Sequence, residues 1–99
     1  MIEFQHAPGE KAWFAIDANA FLQNEGFGVT ITSVAFTIYS GAGVVDNSGH
    51  PYTITSGVLN FFIDGTLCQI NSVTVLSVVM TLSNGETIPR WVTFQCLQL

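Results

Sequence analysis

The sequence predicts an all-β chain, folded as a single-domain antiparallel β-sandwich. Three observations carry that expectation. Apolar residues alternate with polar ones at period two through several short segments, the spacing that puts one set of side chains on each face of a strand. Turn-forming glycine, proline and asparagine separate those segments. No stretch sustains the 3.6-residue period of a helix. At 99 residues there is room for one core, and a chain of this size buries roughly 60–65% of its unfolded surface.

Residues 1–10 hold Pro8-Gly9 among scattered polar residues and read as an extended N-terminal arm or an edge segment, with the sandwich domain over residues 11–99. Trp13–Asp17 is a short apolar run, expected as the first strand. Asp17 is placed to cap a single helical turn that lays Phe21 and Leu22 over one end of the core, and Gln23–Gly28 reads as a loop. Thr30–Tyr39 alternates most cleanly, with Val34, Phe36 and Ile38 expected inward and Ser33, Ala35 and Thr37 outward. Ser40–Gly57 carries Gly41, Gly43, Gly49, Gly57 and Pro51, too many breakers for a helix. One short strand is expected there, around Tyr52–Thr55.

Val58–Asp64 places Leu59, Phe61 and Ile63 on one parity. Val58 and Phe62 share the other with Asn60 and Asp64, which makes Phe62 a candidate outward-facing aromatic. Leu67–Leu82 reads as one long strand with apolar residues at both parities. It requires either cover on both faces or a phase-switching bulge near Val75-Leu76. Ile88–Gln98 closes the domain with Val92, Phe94 and Cys96 inward and Trp91 and Leu97 on the opposite parity. Between these two strands lies Ser83-Asn84-Gly85, where Asn-Gly suits a two-residue hairpin loop because it accepts positive φ. The expected core is Phe14 or Trp13, Val34, Phe36, Ile38, Leu59, Phe61, Ile63, Leu76, Val78, Val92 and Phe94. The Cys-Trp-Cys spacing of antibody domains is absent, so the architecture is immunoglobulin-like only.

Composition narrows the function. Hydrophobic residues make up 48% of the chain and charged residues only 9%, where about 25% charged is usual. So few charges leave part of an outer face to be buried against neighbours, unless serine, threonine, asparagine and glutamine supply the solvated surface. The net charge of −5 sets seven acids against Lys11 and Arg90. Two cations neutralise too few phosphates for nucleic-acid binding and offer no attraction to an anionic membrane. Met1–Lys11 lacks the basic start and apolar run of a signal peptide, and Val73–Leu82 is far short of the ~20 residues of a membrane-spanning helix. Cys68 and Cys96 are expected as buried, reduced thiols, a bridge between them remaining open, and two cysteines without matching histidines make no zinc site.

The segments Trp13–Asp17, Phe21-Leu22, Val29–Ile38 and Val73–Cys96 through the Asn84-Gly85 turn, in that order, resemble the fiber-tail adaptor family. Its members are small immunoglobulin-like β-sandwich proteins of tailed-bacteriophage virions. That family shows an aromatic/aspartate strand, a Trp/Phe-Leu corner, a Thr-Ile-x-x-Val-x-Phe-like strand and a closing hairpin. The likeness covers most of the chain from Trp13 onward. It departs at Thr74 and Leu76, where the family usually has an aromatic, and at the longer, glycine-rich Ser40–Gly57. The resemblance implies a non-enzymatic structural protein, a neck or tail adaptor joining tail components or fibres. Such a protein would be repeated as a homo-oligomeric ring, with other virion proteins as partners, and assembled in the host cytoplasm into the virion.

No residue pattern points to catalysis, a cofactor or a metal. His6 and His50 stand without a nucleophile nearby in sequence. Asp46-Asn47-Ser48-Gly49 lacks the alternating acids of a calcium loop and reads as an Asx turn. Asp17, Asp64 and Glu86 fall at strand ends or turns. Gly41-Ala42-Gly43 has no following lysine or helix to hold a phosphate. Trp13, Trp91, Tyr39 and Tyr52 are candidates for a sugar platform, weighed against core and interface packing. The expected assembly surface is Val58, Phe62, Val73, Val75, Val79 and Trp91, with Met1–Gly9 and Ser40–Gly57 as reaching elements. Five such side chains losing most of their water would gain on the order of 10 kcal/mol before association costs. The competing expectation is a secreted or surface carbohydrate-binding or adhesion module, with a leader, a Cys68–Cys96 disulfide and an exposed aromatic pair.

Overall fold

Period-two alternation resolves into eight strands and one short helix in the computed structural model, which describes residues 2–98. In chain order they are β1 (Ile2–His6), β2 (Lys11–Asp17), α1 (Asn19–Glu25), β3 (Ile31–Ser40), β4 (Val44–Val45), β5 (Thr53–Thr55), β6 (Val58–Asp64), β7 (Val73–Leu82) and β8 (Thr87–Cys96). They form an all-β sandwich of two sheets. The first sheet has the order β1-β8-β7-β3, and the second β2-β6-β4 with β5 also on β6. β1 pairs β8 in parallel, Ile2 opposite Val92 through His6 opposite Cys96. Every other pairing is antiparallel.

The core fills the space between the layers. Leu59, Phe61 and Ile63 from β6 meet Leu76, Val78, Met80 and Leu82 from β7 and Val92 and Phe94 from β8. Complete burial of such side chains stabilises by about 1.5–3 kcal/mol each. Phe94 organises the aromatics: Phe4 stacks on it at 5.1 Å and Phe14 meets it edge-on at 4.8 Å. α1 closes one end with Leu22 buried, while Phe21 lies 4.4 Å beneath the Arg90 guanidinium. Asp17 Oδ1 accepts the Asn19 amide at 3.0 Å, although Ala18 is the N-cap residue, and the helix runs through two turns rather than one.

Several expectations are corrected. Of the two readings of residues 1–10, the edge segment holds for residues 2–6 and the reaching arm does not; Phe4 packs on the core and His6 is buried, which holds the segment to β8. Residues 1 and 99, at the outer limits of the arm and the domain, lie outside the described residues. β7 begins at Val73, not Leu67, and carries no phase switch: its even residues face the core and Val75 and Val79 are half-buried on the outer face. Nor is it covered on both faces: β3 and β8 flank it within the sheet, and its odd residues stay partly accessible on the outer face. The irregularities fall instead on β3, between Ile31 and Ser33 and between Ile38 and Ser40.

The Asn84-Gly85 turn is a three-residue loop. Leu82 and Glu86 close it, with the Gly85 amide donating to Leu82 O, and of Ser83, Asn84 and Gly85 only Gly85 has positive φ. The two-residue loop with two positive φ values is Ser56-Gly57, between β5 and β6. β4 was not expected; two residues are too short to leave a periodic signal. Phe14, not Trp13, is the inward residue of β2, and Ile38 is 37% exposed although its parity is inward.

Candidate assembly surface

Strand parity builds the candidate surface directly. On the first sheet, residues pointing away from the core are Glu3 and Gln5 on β1, Pro89, Trp91, Thr93 and Gln95 on β8, Val73 to Thr81 at odd numbers on β7, and Ser33, Ala35 and Thr37 on β3. Registers set Thr37, Ser77 and Trp91 in one row across three strands. Tyr39 is the unpaired residue of the second β3 irregularity, and such a bulge re-aims its side chain. Its ring lies 4.5 Å from that of Trp91, inclined at 53°. Tyr39 is 64% and Trp91 45% exposed. Glu3 is the sole charged side chain among these outward positions.

The six expected interface residues therefore divide between opposite sides of the molecule. Val73, Val75, Val79 and Trp91 share this face, whereas Val58 and Phe62 belong to β6 in the second sheet. Phe62 is 8% exposed, because His50 stacks on it at 3.8 Å and Trp13 meets it edge-on at 5.4 Å. An outward parity does not expose a ring that its own chain covers. Asp46 holds that cover in place through a 3.0 Å contact with His50 Nδ1. The same contact, with the Gly49 amide, keeps the Asp46 carboxyl below its ordinary value. The surrounding face is charged, with Lys11 3.9 Å from Asp64. Hydrogen bonds from Thr66 hold the Asp64 carboxyl below its ordinary value, helped by Lys11 and opposed by Asp46.

Tyr39 was missed as a member of the surface, though it was readable: it continues the Ala35, Thr37 parity of small outward residues. The glycine-rich Gly41-Ala42-Gly43 serves packing instead of phosphate. The Gly43 amide donates to the buried Thr74 Oγ1 at 3.0 Å, and Gly41 lies directly against Thr74 and Val73. Cys68 and Cys96 are both buried and unbridged, and burial pushes the Cys96 thiol upward. His6 donates from Nδ1 to Ala7 O at 2.9 Å, since a carbonyl only accepts, which leaves its buried Nε2 without a partner. Among the described residues no group of three or more His, Cys, Asp or Glu side chains is arranged to hold a metal ion. Among them also, no helix is long and apolar enough to cross a membrane. Comparison with protein-family models and with curated proteins finds no match.

Proposed function

We propose that this chain is a non-enzymatic structural subunit of a bacteriophage virion, a neck or tail adaptor that docks on other tail components or fibres through the outer face of its first sheet. The observation that carries the reading is a four-stranded face with one charged side chain and the half-exposed Tyr39–Trp91 pair at its centre. Aromatic residues with few charges mark the core of protein–protein interfaces. The parallel pairing of first and last strands, together with the way the strands divide between the sheets, supports the immunoglobulin-like architecture on which the family resemblance depends.

Magnitudes favour repetition. Tyr39, Trp91 and Val73 together offer roughly 300 Å² of exposed surface, about 7 kcal/mol if fully buried. Association costs about 4–15 kcal/mol, so one such contact is marginal and a ring of copies holds by avidity. The test is complementation of a phage lacking the gene with a Trp91→Glu chain. The expected result is a chain that keeps its circular dichroism and melting temperature but is absent from purified particles. Incorporation at wild-type level would refute the docking face.

One observation favours a second reading, a saccharide-binding module. Beside the aromatic pair lies a shallow cleft of about 280 Å³ whose lining includes Glu3, Gln5, Thr93 and Gln95, polar groups that suit sugar hydroxyls next to a ring that stacks. Quenching or shift of Trp91 fluorescence by oligosaccharides, abolished in Trp91→Ala, would select it.

A further inference from the structure

β3 ends the first sheet, and the direction of its backbone groups can be read from its neighbours. The Leu82 amide donates to Glu86 O and the Ser83 amide to Thr30 O, so odd residues of β7 aim their backbone groups at β3. Ser33, Ala35 and Thr37 face Thr81, Val79 and Ser77 as the bonded pairs. The N–H and C=O groups of Val34, Phe36 and Ile38 consequently point away from β7. The Val34 amide finds the Tyr52 hydroxyl at 3.3 Å. No strand pairs with that side of Phe36 and Ile38 among the described residues.

Beneath this edge the two sheets do not meet. An open cleft of about 440 Å³ separates β3 from β4, lined by Val34, Phe36, Ile38, Val44 and Val45. Phe36 and Val34 are only half-buried there despite their core parity, and Val44 is 51% exposed. The irregularities that help blunt an edge fall at its two ends, between Ile31 and Ser33 and between Ile38 and Ser40, and leave Val34–Thr37 regular. From Gly26 to Val45 there is no charged residue and no proline.

We propose that β3 is a self-pairing edge, on which a second copy of this chain docks its own β3 antiparallel about a twofold axis through Phe36. In that register Phe36 exchanges both hydrogen bonds with its equivalent, Val34 bonds with Ile38, its amide leaving the Tyr52 hydroxyl for the Ile38 carbonyl of the second copy, and Ala35 opposes Thr37. The two four-stranded sheets become continuous, and the seam residues of each copy cover those of the other. Charge selects the second copy as occupant. A twofold axis sets like beside like, so a chain of net charge −5 pairs with itself where it carries no charge. This edge is separate from the outer face proposed above as the docking face, and either can fail without the other.

Ala35 and Thr37 are exposed and outward, so lysines there spare the core. Sedimentation of the full chain from micromolar to millimolar concentration should give a species of about twice 10.7 kDa, with the Phe36 and Ile38 amides protected from exchange only in that species. Ala35→Lys with Thr37→Lys places two like-charged pairs across the axis and should weaken the dimer about 30-fold. Ala35→Lys with Thr37→Glu places opposite charges there and should restore it. A monomer throughout overturns the proposal. So does a dimer with unprotected Phe36 and Ile38 amides, or one that Trp91→Glu dissociates while the double lysine leaves it intact.

Discussion

Replacing Gly41 by alanine probes how closely the β3–β4 loop is pressed onto β7. Gly41 has φ +95°, and a Cβ there would lie 2.5 Å from Thr74 Cα, 2.6 Å from Thr74 Oγ1 and 2.7 Å from Val73 O. Two of those three atoms are backbone of a central strand, which cannot turn aside. The left-handed conformation costs an alanine about 1 kcal/mol, and forcing atoms into a packed site adds about 1–3 kcal/mol. Gly85 isolates the first cost. Its φ is +88° but nothing lies within 4 Å of its Cβ position, so Gly85→Ala should lose only about 1 kcal/mol. Gly41→Ala should therefore be about 1–3 kcal/mol less stable than Gly85→Ala in urea unfolding followed by tryptophan fluorescence. Because Gly41 follows the irregularity that aims Tyr39, the near-ultraviolet signal of the Tyr39–Trp91 pair should weaken in the first variant alone. Two variants equal within about 0.5 kcal/mol would show that the loop gives way and that its glycines do not fix the aromatic pair.

Three other outcomes are expected. The Asp46 carboxyl is held low, chiefly by His50 and then by the Gly49 amide, so its contribution is present above the unfolded value of 3.8 and lost as pH falls through the folded one. Asp46→Asn should therefore melt lower at neutral pH, the difference shrinking as pH falls through the folded value, and a deficit persisting undiminished in acid would refute the charge-based account. Glu86 is raised from 4.5 by a hydrogen bond with Glu25 and by that neighbour's charge, so its ionised form opposes folding. Glu86→Gln should raise the melting temperature at neutral pH, with the gain vanishing in acid. His6→Leu removes a buried nitrogen without a partner, which costs about 1–3 kcal/mol, and loses one hydrogen bond of about 1 kcal/mol. Equal or higher stability is expected, and a loss above about 1 kcal/mol would show that Nε2 is satisfied in solution.

The architecture was legible because period-two alternation survives wherever one face is buried. Val58–Asp64 was read to the residue, and Leu59, Phe61, Ile63, Val92, Phe94 and Cys96 all face the core as expected. Misreadings arose where side chains from elsewhere decide exposure. Phe62 has an outward parity, yet His50 and Trp13 cover it, and no local pattern announces a ring arriving from twelve residues back in the sequence. Ile38 has an inward parity but stands over an open seam, because β4 is too short to close it. The Asn84-Gly85 pair signalled a turn correctly and its length wrongly, since one positive φ at Gly85 suffices when the loop has three residues. The candidate surface suffered in the same way: parity named its valines and Trp91, but membership of a sheet, which splits Val58 and Phe62 from the rest, depends on pairing across long sequence separations.

Charge placement ties these features together. The second sheet's outer face carries Lys11, Asp17 and Asp64, with Asp46 close by, while Glu25 and Glu86 face each other at the helix end. The first sheet's outer face has Glu3 alone, and β3 has none. A monomer economising on charge would spread its few ions to keep every face wetted, because solvated charges oppose association wherever they stand. Here the second sheet's outer face carries Lys11, Asp17 and Asp64 and the first sheet's outer face only Glu3, although the latter holds the exposed Tyr39 and Trp91 and the longer strands. On the proposed function that asymmetry would orient the subunit, the second sheet toward solvent and the first toward neighbours. It would also separate the two proposed contacts on one layer, rings and methyl groups on the face and hydrogen bonds along the β3 edge, so that a partner could be held on the face while a copy of the chain extends the sheet.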